Sequence, residues 1–288
     1  MSNECTIGLD VGFGWTKVCL RENGELKRCF KFPSWIAYHS KSAISDMHVV
    51  VYDGKEYVVG EDARIENKKV IINDIGDLIN YYPVFAKHAI NQLNVSSECK
   101  IVTGLPPIYK NFSDNIKSMG MEVVPQGVGI WLDVRDKIKT GEAVVLDIGF
   151  NTVDYIIVID DVKKKGSTIT KLGVERLVEF FRDKLPVDLQ YLKQLPFQRL
   201  MTTFEKGMTT IDGEEIDLSG YKKQATEEYN EMLITRLKNE VGSIMDEISS
   251  IVIAGGGAYY IKPFRKSGVF IPEEPEMSQA RGYTKVVE

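Results

Sequence analysis

The stretches IGLDVGFGWTKVCL (7–20) and VVLDIGFNTVDYIIV (144–158) share one grammar: an apolar, strand-like run ending in an aspartate, a glycine-bearing turn, and a second strand-like run. A single copy reads as a plain hairpin with an acid beside its turn. Two copies, roughly 140 residues apart, predict a duplicated unit and hence two related lobes. Gly12 and Gly14 in the first turn and Gly149 in the second let backbone N–H groups approach an anion with no Cβ in the way. Asp10 and Asp147 hold the same place in each copy. Facing hairpins of this kind can grip a polyphosphate from both sides. The two carboxylates then suit the waters of a Mg²⁺ ion, which prefers oxygen ligands and keeps much of its hydration.

A third segment, IVIAGGGAYY (251–260), runs from a buried strand into Gly255, Gly256 and Gly257. Its plain reading is a tight strand-to-helix turn; its functional one is a backbone on which a purine or ribose lies flat. The chain has no GxxxxGK[ST] and no GxGxxG opening a helix, which argues against a P-loop and against a Rossmann dinucleotide site.

Outward from these motifs, the chain opens as a β-meander over 5–32, and HVVVYDGKEYVVGEDA (48–63) sets Asp53-Gly54 between valine-rich runs, a strong hairpin signal. Apolar spacing predicts a helix over 83–93, a strand at KIVTGLP (100–106), a short amphipathic segment over 107–119 and another strand at MEVVP (121–125). From 142 the order restarts: strands at 143–149, 153–159 and 167–171, then a helix over 174–183. A helical stretch and the hairpin TIDGEEIDL (210–218) follow, then a long helix over 222–247 feeding the third motif, and a short terminal helix. The expected boundaries are 1–139 plus 276–288 for one lobe, with a small subdomain at about 33–75. The other lobe is 140–275, with a small subdomain at about 187–220.

Composition bounds the function. The 288 residues suit two closely joined lobes, and 43% hydrophobic with 27% charged residues is a soluble balance. No apolar run approaches the ~18 residues of a membrane span, and the first residues lack the basic and apolar regions of an export signal. The reading is a cytoplasmic protein with no membrane partner. Cys5, Cys19, Cys29 and Cys99 have no metal-ligand spacing and are expected as reduced core thiols. A net charge of −5 argues against a broad nucleic-acid footprint; the cluster Lys163-Lys164-Lys165 reads as a solvated hairpin tip.

The two aspartate hairpins and the glycine run, in this order and at these separations, resemble the actin, Hsp70 and sugar-kinase superfamily over most of the chain. Within it, the VYDGKEYVVGEDA hairpin, the TGLP strand end and MSQARGY (277–283) are similar to actin-like proteins of the ParM (StbA) type. The resemblance implies an α/β, two-lobed, duplicated ribonuclease H-like fold with nucleotide in the interlobe cleft. It matches Asp10 and Asp147 to metal-associated aspartates acting through water, Lys17 to a lysine reaching the phosphates, and Gly255 to Gly257 to the adenosine loop. Gln126, in VVPQGVG, stands where such proteins place the residue that positions attacking water. An amide takes up no proton near neutral pH, so Gln126 would orient the water while Asp147 or the phosphate accepts the proton, and slow hydrolysis is expected.

This sequence departs from the pattern at Phe13, Phe150 and Asn151, so hydrogen bonds to phosphate are expected from Thr16, Asn151 and Thr152. Asp154 matches a position where relatives often carry an acid, and the helix holding Arg199, Glu205 and Lys206 is a candidate flank for the adenine. The function implied is a slow ATPase that takes ATP (or GTP) with Mg²⁺, self-associates into filaments and moves DNA only through an adaptor protein. The alternatives are a small-molecule kinase similar to type III pantothenate kinases, and a nucleotide-binding scaffold with little turnover.

Overall fold

The computed structural model describes residues 4–40, 47–95, 98–262, 264–265 and 267–286. Residues 41–46 of the expected small subdomain, and the chain's first three and last two residues, lie outside the described residues.

The first lobe begins with β1 (Cys5–Val11), β2 (Trp15–Glu22) and β3 (Glu25–Pro33), an antiparallel meander. Next come β4 (Ile36–Tyr38), β5 (Val49–Tyr52), β6 (Lys55–Val59) and β7 (Lys68–Lys69), paired as a small sheet in the order β5-β6-β4-β7. Asp53 and Gly54 both take positive φ, 48° and 69°, as a two-residue hairpin turn between right-twisted strands requires. Helix α1 (Ile75–Asn80) is capped by Asp74, whose side chain accepts from the Asp77 N–H at 2.9 Å. In α2 (Tyr82–Leu93) the buried Val84, Phe85, Ala89 and Leu93 join the core formed by β1 and β2. The strand β8 (Lys100–Leu105), helix α3 (Ser113–Ser118) and strand β9 (Glu122–Pro125) complete the lobe. The main sheet has the order β3-β2-β1-β8-β9, with β8 and β9 parallel to β1.

After α4 (Val128–Val134), the strands β10 (Ala143–Ile148), β11 (Thr152–Ile159) and β12 (Val162–Thr170) repeat the meander. The turn before β12 is made by Asp160 and Asp161, both at positive φ. Lys163 to Lys165 therefore sit in β12 as exposed strand residues rather than at the hairpin tip, a correction to the expectation from charge alone. The helices α5 (Val174–Lys184), α6 (Gln190–Lys193) and α7 (Phe197–Lys206) follow, with the hairpin β13 (Met208–Ile211) and β14 (Glu214–Asp217).

The predicted long helix is α8 (Ser219–Val241); it stops at Gly242, whose φ of 80° no helix accommodates, and α9 (Ile244–Glu247) is a separate turn. Leu177 and Phe181 of α5 pack in one core with Tyr229, Leu233 and Leu237 of α8. The strands β15 (Ile251–Ala254) and β16 (Val269–Phe270) lie beyond β10, giving the order β12-β11-β10-β15-β16, and α10 (Ser278–Tyr283) ends the chain. The two five-stranded sheets thus have the same strand sequence in space, as the duplicated motif requires.

Where the lobes meet, α4 buries Ile130, Trp131 and Val134 with Val145, Ile156 and Val252 of the second sheet. Its other side meets α10, which in turn lies on the first sheet so closely that a side chain at Gly8 would overlap the Ala280 carbonyl. Gly129 and Gly282 let α4 and α10 touch backbone to backbone; a Cβ at Gly282 would collide with the Gly129 carbonyl oxygen.

The cysteines differ from the expectation of free thiols. Cys19 and Cys29 are directly opposed across β2 and β3, and Cys5 lies beside Cys99 where the chain enters β8; both pairs are joined as disulfides. Cross-strand register, which spacing in the sequence does not display, makes these pairs. Among the described residues no helix is long and apolar enough to cross a membrane.

Candidate functional site: the interlobe cleft

Both aspartate hairpins open into the same cleft. In the first, the Gly12 N–H donates to the Trp15 carbonyl at 3.1 Å; in the second, the Gly149 N–H donates to the Thr152 carbonyl at 2.9 Å. The strand registers set Asp10 opposite Lys17 and Asp147 opposite Asp154. At the third motif Gly255 takes φ 82°, its N–H donates to the Pro275 carbonyl at 3.0 Å, and any Cβ there would overlap an Asp147 carboxylate oxygen. Only glycine fits that approach.

These elements enclose a cavity of about 1300 Å³. From the first lobe it is lined by Asp10, Gly12, Gly14, Lys17 and Gln126, and from the second by Asp147, Gly149, Asn151, Thr152, Asp154, Gly255 and Gly256.

Two predicted residues stand elsewhere. Thr16 is fully buried with its hydroxyl 2.9 Å from that of Ser34, because the strand alternation that turns Trp15 and Lys17 toward the cleft turns Thr16 away. Gly257 does not line the cavity: it packs on Ile148, whose side chain occupies the place of any Cβ, so its role is to let the turn close. On α7, Glu205 lines the cleft and Arg199 and Lys206 do not; Phe197 and Met201 join Glu205 at steps of one helical turn. That spacing is readable in the sequence and marks the face. Trp15, Lys31, Tyr82, Tyr259 and Glu276 also line the cavity, without any motif that announces them.

The charges are concentrated and mutually constrained. The Lys17 ammonium lies 2.9 Å from Asp10 Oδ2, and the Gln126 amide nitrogen lies 3.5 Å from Asp10 Oδ1. Burial works against the Lys17 charge, but the field and hydrogen bond of Asp10 outweigh it and raise its pKa. Burial pushes the Asp147 carboxyl up to about 8, with the negative charges of Asp10 and Asp154 adding to it and Lys17 opposing. Burial likewise pushes Asp154 up to about 6, against the hydroxyls of Thr168 and Thr152 that donate to it at 2.5 and 3.1 Å.

Three carboxylates facing one lysine in a buried cleft suit a ligand that brings both a hard cation and phosphate groups. Asn151 Oδ1 is buried with no hydrogen-bond partner, and a Cβ at Gly14 or Gly256 would meet only open space, so bare backbone faces the cavity and an amide oxygen in its wall is left unsatisfied. Among the described residues no three Asp, Glu, His or Cys side chains converge on one metal position. Two carboxylates with waters and phosphate oxygens fit Mg²⁺, which is rarely held in an all-protein cage.

The family model for the N-terminal domain of actin-like proteins matches residues 8–122, and that for the C-terminal domain of archaeal MreB-like actin homologues matches residues 145–266. This chain is an actin-like protein. The actin-like fold extends over its whole length. A native crystal structure of Ta0583, an archaeal actin homologue, is 18% identical and superposes with a TM-score of 0.80, covering 98% of each chain. A 15-stranded ParM filament from Clostridium botulinum is 21% identical, with a TM-score of 0.77 and 98% of each chain covered. Bacillus thuringiensis ParM with AMPPNP is 16% identical, with a TM-score of 0.68 over 99% of this chain and 98% of the other. No curated protein matches by sequence.

Proposed function

We propose that this actin-like protein binds ATP (or GTP) with Mg²⁺ between its lobes, hydrolyses it slowly and polymerises into filaments. The observation that carries the reading is the pair of glycine hairpins, each with its aspartate, opening from opposite lobes into one cavity that Lys17 also lines.

In this reading the N–H groups of the two turns and the Asn151 Nδ2 amide donate to phosphate oxygens, and Lys17 leaves Asp10, and the Thr152 hydroxyl leaves Asp154, to pair with them. Asp10 and Asp147 hold Mg²⁺ through its waters. The metal supplies neutralisation of charge on the phosphates when bound. Gln126 orients the attacking water beside Asp10, and since its amide accepts no proton, a carboxylate or the phosphate must. Gly255 and Gly256 with the α7 face of Phe197, Met201 and Glu205 form the wall for the nucleoside.

Because both lobes contact one nucleotide, binding favours a closed arrangement and hydrolysis relaxes it, which makes the nucleotide a timer for subunit contacts. Self-association is supported by likeness to a chain solved as a ParM filament. DNA segregation, through an adaptor rather than by the acidic chain itself, is the cellular role we assign, in the cytoplasm. Calorimetric titration with ADP tests the binding step: saturable binding with Mg²⁺, lost with EDTA and in Asp147→Ala, supports it, and binding indifferent to both contradicts it.

A further inference from the structure

Gln126 is held in place by a residue far away in sequence. Gln279, on α10 and only 2% exposed, uses both ends of its amide: Oε1 accepts from the N–H groups of Gly127 at 3.3 Å and Ile130 at 3.1 Å, and Nε2 donates to the Tyr283 hydroxyl at 2.6 Å. Gly127 directly follows Gln126. Its φ of 86° admits only glycine comfortably, and a Cβ there would press on Ile156 at 3.0 Å. On the other side, the N–H of Gln126 itself donates to the Leu105 carbonyl at 2.8 Å. The peptide bearing Gln126 is therefore clamped by the end of β8 before it and by Gln279 after it.

The first turn of α4 has no capping side chain of its own, so Gln279 is what satisfies it. The clamp also crosses the lobe junction, since α4 packs on the second sheet and α10 on the first. Deleting it leaves two N–H groups without their partner and frees the peptide that aims the Gln126 amide at Asp10.

We propose that Gln279 is a positioning residue for nucleotide hydrolysis, acting through Gln126 by holding the Gly127 and Ile130 N–H groups. This rests on the reading of Gln126 as the residue that orients attacking water. A group displaced by about 1 Å costs up to about 100-fold in rate, so a partial loosening is expected to cost about tenfold.

The test measures single-turnover phosphate release from Mg-ATP, together with the affinity for Mg-ADP, in Gln279→Met, Gln126→Ala and the double variant. Gln279→Met is expected to slow release about tenfold, to leave ADP affinity within about twofold, and to add nothing in the Gln126→Ala background. Gln279→Glu, which keeps an acceptor for both N–H groups and lets the Tyr283 hydroxyl donate, is expected to stay within about threefold of wild type. Tyr283→Phe removes only the group that orients the Gln279 amide; it serves if Gln279→Met does not fold, with a loss of about threefold that also vanishes in the Gln126→Ala background. Equal fractional losses in both backgrounds, or ADP affinity falling in step with rate, overturn the proposal. If Gln126→Ala slows release and Gln279→Met does not, this inference alone fails. If Gln126→Ala releases phosphate at the wild-type rate, the role given to Gln126 fails and this inference fails with it.

Discussion

Lys17 and Asp10 are cross-strand partners in the first hairpin, and their side chains meet 2.9 Å apart on the wall of the cleft. In the proposed function this ammonium turns from the carboxylate to phosphate when nucleotide enters, so the pair would change partners on binding. Replacing Lys17 by Met leaves Asp10, only 6% exposed, without its counter-ion. The nucleotide-free protein is then expected to lose about 2 kcal/mol of stability and at least about tenfold in ATP affinity. Denaturant titration and calorimetric binding check the two effects separately.

Gln126→Ala is expected to retain nucleotide binding and to lose hydrolysis by about 100-fold, because its amide lies beside Asp10 and the proposed role is to orient water there. Comparing single-turnover phosphate release with ADP affinity separates these effects. Equal losses in both would assign Gln126 to binding instead.

The glycines of the site separate into those that face the cavity and those that let the turn close. Gly257→Ala drives a methyl into Ile148 and is expected to lower stability by about 2 kcal/mol. Gly14→Ala meets nothing within 4 Å and is expected to fold normally while weakening nucleotide binding. Thermal unfolding without nucleotide, followed by binding, distinguishes the two roles.

His88 supplies a pH dependence remote from the cleft. It is buried beside Phe32 with Nδ1 unpartnered, and burial lowers its pKa from 6.5 to about 4. The unfolded chain therefore binds a proton that the folded one refuses as pH falls from 6.5 toward 4. This contribution is absent above 6.5 and reaches about 3 kcal/mol of lost stability near pH 4. His88→Leu is expected to be relatively more stable at pH 5 than at pH 7, as urea titrations at the two pH values measure. An identical difference from wild type at both values would contradict the assignment.

The duplicated fold was legible because strand, acid and glycine turn recur as short local patterns, and Asp53-Gly54 announces its hairpin chemically. The break at Gly242 is less visible: isolated glycines occur in helices, and the positive φ there marks where the chain leaves α8 for the short turn of α9. The disulfides and the Gln279 clamp depend on register and on which helices touch, which no local spacing encodes. Thr16 points away from the cleft because strand alternation fixes its direction more strongly than its place in the motif. The α7 residues that line the cavity form a recognisable helical face but include no residue type peculiar to a ligand site.

The most direct test of nucleotide-driven assembly is light scattering at rising protein concentration with Mg-ATP, Mg-GTP, a non-hydrolysable ATP analogue and no nucleotide, with electron microscopy of any pellet. Scattering is expected above a critical concentration only with nucleotide, with filaments on the grid and slower disassembly with the analogue than with the hydrolysable nucleotide. Tight nucleotide binding with no scattering at any concentration would contradict it.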